Sequence, residues 1–198
     1  MLNLHSPFRR AIPEDARAIA ELIDCAGKGI PSLLWADEAE AGETALDVGA
    51  RLVGRTGYAL CYENAVVGEA DGRVTSLLLG CLDNTEEADL ADAPEIVHPI
   101  IRLKRRAPRA WHVHALAVAP EHRRQGLGAR LLRIVDALAA EEGLTETSLT
   151  VAEGNEAARQ LYDREGYRVV AREPMVPHPR VKLAGNWLLM TRPVVPQG

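Results

Sequence analysis

A basic, glycine-bearing loop between an apolar strand and an amphipathic helix is the segment of this chain best suited to chemistry. It covers residues 123–128 and reads Arg-Arg-Gln-Gly-Leu-Gly. Apolar residues recur at helical spacing from Gly126 to Leu138, which indicates that a helix begins inside the loop. The first N–H groups of a helix are unpaired and lie at the positive end of its dipole, and glycine lets a ligand approach the backbone closely. The segment therefore predicts a site for a phosphorylated ligand.

Spacing excludes two common phosphate-binding motifs at this loop. A Walker A loop ends in Gly-Lys-Ser or Gly-Lys-Thr, which does not occur here. A dinucleotide-binding fingerprint needs a third glycine near position 131, where the chain has Leu131. The pattern that remains is Arg123-x-x-Gly126-x-Gly128. An ordinary solvated strand-to-helix loop is the alternative interpretation.

The strand that precedes the loop carries two histidines. Over residues 111–118, strand alternation sends His112 and His114 to one face. Histidine titrates near neutral pH and can accept a proton from a reacting group. The alternative is a pair of structural histidines with satisfied hydrogen bonds. A metal site is not expected, because the sequence offers no third ligand at a suitable spacing.

A second segment downstream places an asparagine and a tyrosine on one short helix. Residues 147–151 are typical of a buried strand. Asn155 is suited to the N-cap of the following helix, and Gly166 to the position just past its end. Asn155 and Tyr162 are seven residues apart, so a helix returns them to one face about 10 Å apart.

The loop and the downstream helix follow each other along the chain in the same order as the two cofactor motifs of the GNAT N-acetyltransferase superfamily, and each resembles its counterpart. The loop is similar to the family's acyl-CoA pyrophosphate loop. The sequence Asn155-x-x-Ala158-x-x-Leu161-Tyr162, followed by a glycine and an aromatic residue, is similar to its second motif. His-x-His-Ala-Leu-Ala-Val at 112–118 resembles the arylalkylamine N-acetyltransferase branch in particular. The resemblance is close over about residues 110–170 and looser elsewhere.

The resemblance implies a fold and a domain organisation. Residues 1–198 are expected to form one GNAT-like α/β (α+β) domain. Its central sheet would be mixed and mostly antiparallel, with about six to seven strands flanked by helices. A splayed pair of strands would form the acyl-CoA cleft.

The resemblance also implies acetyl-CoA as co-substrate, with no metal. Backbone amides from Gln125 to Ala129 would bind the pyrophosphate, with charge added by Arg123 and Arg124. The backbone of residues 116–118 would pair with the pantetheine arm, and Asn155 would assist. The implied cofactor-binding residues are Leu116, Ala117, Val118, Arg123, Arg124, Gln125, Gly126, Leu127, Gly128, Ala129 and Asn155.

The implied reaction is direct transfer of an acetyl group to a primary amine of a small molecule or peptide. A protonated amine has no lone pair, so His112 or His114, directly or through water, would remove its proton. Tyr162 would protonate the departing CoA thiolate. None of the three cysteines lies in these motifs, which agrees with transfer without an acetyl-enzyme. The acceptor cannot be read from the sequence, and a non-catalytic acyl-CoA-binding regulatory module is the alternative function.

Composition agrees with an ordinary soluble globular protein. The 198 residues are 47% hydrophobic and 26% charged, which suits one domain with a sizeable core. A net charge of −5 argues against general nucleic-acid binding. The three cysteines suggest reduced thiols and a cytoplasmic location. No signal-peptide core and no membrane-length apolar run occur, so no membrane partner is expected. Because of the net charge, no nucleic-acid partner is expected either.

The rest of the chain is predicted more coarsely. Leu33, Leu34 and Trp35 could line the amine site or pack in the core, as family analogy leaves open. The expected elements are a strand at 8–12, helices at 13–26 and 44–54, a hairpin of 58–68 and 73–81 around Asp71-Gly72, and strands at 168–172 and 186–192.

A long connection at residues 83–109 is the least expected part of the chain. Its first half is acidic and its second half basic, with a short helix expected at about 94–106. Such an insertion is more often functional or interfacial than empty. A solvated charged surface, the acceptor entrance, a contact with the adenosine 3′-phosphate and the interface of a homodimer are the uses left open.

Overall fold

The computed structural model describes residues 4–82, 90 and 93–195. Within these residues the chain forms six helices and seven strands. The helices are α1 Ala16–Ala26, α2 Ile30–Asp37, α3 Ala45–Val53, α4 His98–Lys104, α5 Leu127–Glu141 and α6 Glu156–Arg164. The strands are β1 Phe8–Arg10, β2 Ala65–Ala70, β3 Arg73–Leu82, β4 Trp111–Val118, β5 Glu146–Ala152, β6 Arg168–Pro174 and β7 Asn186–Pro193.

The strands form a mixed sheet in the order β1-β2-β3-β4-β5-β7-β6. The pairs β1–β2, β2–β3, β5–β7 and β6–β7 are antiparallel, whereas β4 and β5 are parallel. A mostly antiparallel seven-stranded sheet flanked by helices confirms the predicted fold class.

The chain divides into two compact units. The first comprises Met1–Gly80 and His114–Leu131, and the second Cys81–Val113 and Leu132–Gly198. The units are described separately below.

The first unit is built around the β2–β3 hairpin and the helices α1 to α3. The hairpin turns at Asp71 and Gly72, both with positive φ (51° and 71°), as predicted for a two-residue turn. Its core includes side chains from the helices and the hairpin: Ile19, Ala20, Trp35, Val48, Val67, Leu77 and Leu79. Trp35 packs so closely on α3 that a Cβ on Gly49 would lie 2.6 Å from its ring. Trp35 is therefore a core residue.

The second unit contains α4, α6, the larger part of α5, and the strands β5, β7 and β6. β7 pairs with β5 along its whole length, from Glu146↔Pro193 to Ala152↔Trp187. Its interior holds a buried ion pair, with Arg192 Nη2 2.9 Å from Asp136 Oδ2.

Several sequence-based boundaries differ from the structure. The α2 helix falls where only loops and one later helix were predicted. Residues 58–64 form a loop ending in a 3₁₀ turn at Tyr62–Asn64, so the first hairpin strand begins at Ala65. The predicted helix at 94–106 consists of a 3₁₀ turn at Glu95–Val97 followed by α4. Most of the acidic half of the 83–109 connection lies outside the described residues.

No helix in the described part of the chain is long and apolar enough to cross a membrane. A 3₁₀ turn at Pro13–Asp15 precedes α1, and another at Pro120–His122 precedes the basic loop.

Candidate active site

The parallel pairing of β4 with β5 is short. Its register covers Trp111↔Thr147, His112↔Ser148 and Val113↔Leu149. Both strands continue beyond the last pair, β4 to Val118 and β5 to Ala152. Over residues 114–118 the burial of β4 alternates, with the two alanines buried and His114, Leu116 and Val118 partly exposed. This stretch contains the backbone that the sequence analysis assigned to pantetheine pairing, including Leu116, Ala117 and Val118.

The two histidines of β4 differ in accessibility. His112 is 2% exposed, and its Nδ1 lies 2.8 Å from Ser148 Oγ on β5. His114 is partly exposed. The sequence predicted both on one face of the strand but gave no sign that His112 is buried and His114 partly exposed. The sequence analysis did not identify Ser148 as the partner of His112, because the pairing depends on the register between β4 and β5.

The basic loop has an unusual backbone. Arg123 is extended, Arg124 has a φ of 63° and Gly126 a φ of 78°. Positive φ costs a residue with a side chain about 1 kcal/mol or more, so the left-handed Arg124 marks a constrained turn. Arg130 N donates to Gly126 O at 3.1 Å, which places Gly126 at the start of α5.

This geometry fits a phosphate-bearing ligand. The first N–H groups of α5, on Leu127, Gly128 and Ala129, precede the point where intrahelical acceptors become available. A Cβ added to Gly126 would meet nothing within 4 Å, so the space in front of this backbone is open. Gln125 and Arg124 are exposed beside it. The helix dipole and the arginines supply positive potential there.

The side chain of Arg123 is held by hydrogen bonds, and that of Arg124 has none among the described residues. Arg123 Nε donates to Val118 O at 2.9 Å, and its Nη2 donates to Cys25 Sγ at 3.5 Å. Arg124 has no side-chain hydrogen bond or ion pair among the residues that the structure describes. Arg123 therefore joins the loop to the end of β4, and Arg124 is available to a ligand.

Arg130, one turn into α5, is a further basic group that the sequence analysis did not select. Its guanidinium carbon lies 4.7 Å from the centre of the Phe8 ring, and Nη2 donates to Ser6 O at 3.2 Å. Its position in the first turn of the helix that the sequence predicts to begin near Gly126 was the available signal.

Asn155 caps α6 in the second unit, as predicted, but with its backbone. Arg159 N donates to Asn155 O at 3.0 Å, and the Asn155 side chain makes no capping hydrogen bond. The amide is therefore not committed to holding the helix.

Tyr162 lies on the same helix with a phenol shielded from water. The residue is 7% exposed, and its hydroxyl has no hydrogen-bond partner within the described part of the chain. Burial, together with the neighbouring Tyr167, raises the pKa of Tyr162 well above its usual value. The phenol is protonated at neutral pH.

The end of α6 explains the glycine and the aromatic residue that follow Tyr162. Gly166, at φ 90°, donates to Asp163 O at 3.2 Å, and Tyr167 N donates to Tyr162 O at 3.0 Å. These two bonds form a Schellman motif, which a left-handed glycine completes. The contact that usually accompanies this motif is made here by the Tyr162 and Tyr167 rings, whose centroids are 6.0 Å apart.

Comparisons with solved structures show which folds this chain resembles. The structure resembles a putative acetyltransferase from Salmonella typhimurium solved with acetyl-CoA (19% identity, TM-score 0.61, covering 98% of this chain and 97% of that one). It resembles a Drosophila melanogaster polyamine N-acetyltransferase that forms N-acetylagmatine (16%, TM-score 0.67, 94% and 98%). It also resembles a mosquito arylalkylamine N-acetyltransferase-like protein (15%, TM-score 0.63, 94% and 98%).

At these identities the solved structures establish the fold alone. The sequence itself matches the model of the acetyltransferase (GNAT) family over residues 31–167, which is more than half of its length and includes β4, the basic loop and α6. The chain therefore belongs to the GNAT acetyltransferase family.

Proposed function

We propose that this protein is an acetyl-CoA-dependent N-acetyltransferase that moves the acetyl group directly to a primary amine of a small molecule or peptide. The observation that carries the proposal is the phenol of Tyr162, which is buried, has no hydrogen-bond partner among the described residues and lies at the position of the family's second motif. A protein that only bound acyl-CoA would not need a proton donor there.

The basic loop would hold the pyrophosphate of acetyl-CoA. The N–H groups from Gln125 to Ala129, the open space at Gly126 and the unengaged Arg124 suit two linked phosphates. Arg123, bonded to Val118 O, would set the loop against the end of β4. The backbone of residues 116–118 would pair with pantetheine, and the Asn155 amide would assist.

We assign proton removal to His114 rather than to His112. His114 is partly exposed, whereas His112 is sealed against Ser148 Oγ. The amine nitrogen would form its bond to the thioester carbonyl carbon as the carbon–sulfur bond breaks. His114, directly or through water, would take one proton from the ammonium group before the attack and pass it to solvent. As the amide forms, His114 would take the second proton from the nitrogen, and Tyr162 would give its own proton to the sulfur. A proton then returns from His114 to Tyr162 through solvent.

For the acceptor we propose a chemical class, not one compound. The solved structures named above include one enzyme that forms N-acetylagmatine and one protein of the arylalkylamine N-acetyltransferase type. A small primary amine is therefore the first acceptor to test, with peptide amines second.

The test is calorimetric titration with acetyl-CoA, followed by a thiol-release assay over aliphatic, aromatic and peptide amines. We expect saturable binding and turnover on one amine class. Tyr162→Phe should lower kcat about 100-fold, since general acids contribute 10²- to 10⁴-fold, and leave the Kd for acetyl-CoA within twofold. Tyr62→Phe removes a tyrosine hydroxyl outside the proposed site and serves as the control.

The outcomes separate the two candidate functions. Binding without turnover on any amine would favour the regulatory acyl-CoA-binding module. An unchanged kcat in Tyr162→Phe would remove the acid role. No binding of acetyl-CoA would overturn the proposal as a whole.

A further inference from the structure

Tyr167 is the aromatic residue packed against the proposed acid. Its backbone N–H bonds the carbonyl of Tyr162, and the two rings meet at an interplanar angle of 62°. Edge-on aromatic contacts of this kind are directional, and their energy depends on the angle between the rings. The orientation of the Tyr162 ring therefore depends on where Tyr167 is held.

Tyr167 is held from several elements of the second unit. It is completely buried, with its hydroxyl 3.1 Å from Thr147 Oγ1 on β5. The guanidinium carbon of Arg192, on β7, lies 4.9 Å from the centre of its ring. A hydrogen bond at the hydroxyl and a cation over the face fix both the tilt and the depth of the ring.

Arg192 is itself fixed by a second layer. Its Nη2 donates to Asp136 Oδ2 at 2.9 Å and to Leu132 O at 3.1 Å, both on α5. Asp136 Oδ1 accepts from Val195 N at 3.1 Å. Arg192 and Asp136 are each at most 5% exposed.

This buried ion pair is not expected to stabilise the core more than apolar residues would. Burying two charges costs desolvation energy, and apolar residues of similar volume often do as well or better. Arg192 Nε also lacks a partner in the described residues, which adds to that cost. What the pair does supply is a rigid cation at a defined distance from the Tyr167 ring.

We propose that Tyr167, held by Thr147 and by the Arg192–Asp136 pair, is a positioning residue that orients the hydroxyl of Tyr162 for proton donation to the thiolate. The inference rests on the proposed function, because it requires Tyr162 to be the acid. It adds a set of residues, outside the acyl-CoA loop and the histidine strand, on which the rate of the chemical step depends.

The test is a double-mutant cycle between Tyr162→Phe and Tyr167→Leu, with kcat, KM for acetyl-CoA and the unfolding temperature measured for each variant. A misplaced catalytic group costs one to two orders of magnitude, so Tyr167→Leu should lower kcat about tenfold without raising KM. In the Tyr162→Phe background the same change should lower kcat by less than twofold, because the group that it positions is gone.

Milder variants cover the case in which Tyr167→Leu does not fold. Tyr167→Phe removes the hydrogen bond between Tyr167 and Thr147, and Thr147→Val removes it together with the longer bond, 3.4 Å, from Thr147 Oγ1 to Arg192 O. Each should lower kcat about threefold, and the double variant should lower it no further. Thr75→Val is the matched control, since it removes a buried threonine hydroxyl bonded to Gly68 O in the first unit. It should leave kcat unchanged.

The cycle keeps the two proposals separable. If Tyr162→Phe leaves kcat intact, the acid role fails and the positioning role fails with it. If Tyr162→Phe lowers kcat but the Tyr167 and Thr147 variants add to its effect independently, or act only on KM or the unfolding temperature, the acid role stands and the positioning role is wrong.

Discussion

Burial and hydrogen bonding give similar residues different chemical roles in this protein. Tyr162 and Tyr167 are both buried, yet Tyr167 has a hydroxyl partner and Tyr162 has none among the described residues. His112 and His114 share a strand face, yet one is sealed and the other partly exposed. The residue types could be read from the sequence, but these differences depend on Thr147 and Ser148 of β5, which no local pattern reveals as neighbours.

Gly126 gives the first prediction at this scale. Gly126→Ala places a methyl group in the open space where phosphate would approach, so the affinity for acetyl-CoA should fall at least tenfold in calorimetric titration. Its stability cost should be about 1 kcal/mol, because alanine must adopt φ 78°.

Gly72→Ala is the matched control for Gly126→Ala. Gly72 has a φ of 71° and nothing within 4 Å of an added Cβ, but it lies in the hairpin turn. It should show the same loss of stability and unaltered affinity. Equal effects of both variants on affinity would show that the loop backbone does not contact the ligand.

His114 gives the second prediction. With His114→Gln, kcat/KM for the amine at pH 7 should fall about 100-fold, the lower end of what a general base contributes to catalysis at neutral pH. The loss should shrink as pH rises, because the free-base form of an amine with a pKa near 10 becomes more abundant. A pH–rate profile checks this.

His98→Gln, on α4, is the control, and its profile should match the wild type. A loss in His114→Gln that is constant from pH 7 to 9.5 would contradict the assignment of His114 as base.

Among the elements, α6 is the one most completely predictable from sequence. Its N-cap at Asn155 and its left-handed glycine at Gly166 are local signals, and both lie where expected. The Schellman motif also gives the Leu-Tyr and Gly-aromatic parts of the family motif one physical reason. They are the last turn of a helix and the contact that closes it.

The α2 helix shows why other elements could not be predicted. Its sequence begins at Ile30 after Lys28 and Gly29, both in left-handed backbone, and Pro31 stands in its first turn. Its residues are apolar on more than one face, so it has no helical period in hydrophobicity. Tertiary contacts define it: Trp35 packs against Gly49 of α3, and Ser32 N donates to Asp24 Oδ1 of α1 at 2.8 Å.

The N-terminus of α3 gives a prediction about acid stability. Thr44 N donates to Asp47 Oδ2 at 2.8 Å, and Asp47 Oδ1 also accepts from Arg17. These bonds, led by those from Thr44, lower the pKa of Asp47 to about 2. The folded-state pKa is depressed, so the stabilisation is present above about pH 4 and is lost as pH falls towards 2.

Thermal unfolding at pH 5, 3.5 and 2.5 checks this expectation. Asp47→Asn should lower the unfolding temperature at pH 5 and reduce its further decline on acidification. Asp71→Asn is the control, because asparagine also suits the left-handed turn position. Equal acid sensitivity of wild type and Asp47→Asn would contradict the capping argument.

On the scale of the whole molecule, the sheet order and the mostly antiparallel pairing agree with the fold that two short motifs implied. The motifs cover little of the chain, but each sits on a defined strand–loop–helix or helix–turn, and the family match extends over residues 31–167. The buried Arg192–Asp136 pair could not be foreseen. The two residues are 56 apart, and each reads in the sequence as an ordinary surface charge.

That pair predicts how stability is distributed. Arg192→Met leaves Asp136 buried and unpaired, which should lower the free energy of unfolding by about 3–5 kcal/mol in urea titration. Arg192→Met combined with Asp136→Leu should lose less than Arg192→Met alone. Arg102→Met breaks an exposed pair with Glu173 and should cost at most about 1 kcal/mol. Similar losses from both single variants would contradict this view.

The position of β7 within the sheet has a consequence for synthesis on the ribosome. β7 is made after β6 but lies between β6 and β5, pairing with both. Until residues 186–193 have left the exit tunnel, one edge of β5 has no partner strand, and unpaired strand edges invite aggregation. β7 also carries Arg192, so the same late segment completes the surroundings of Tyr167. Nascent chains that stop before β7 are therefore expected to depend on chaperones.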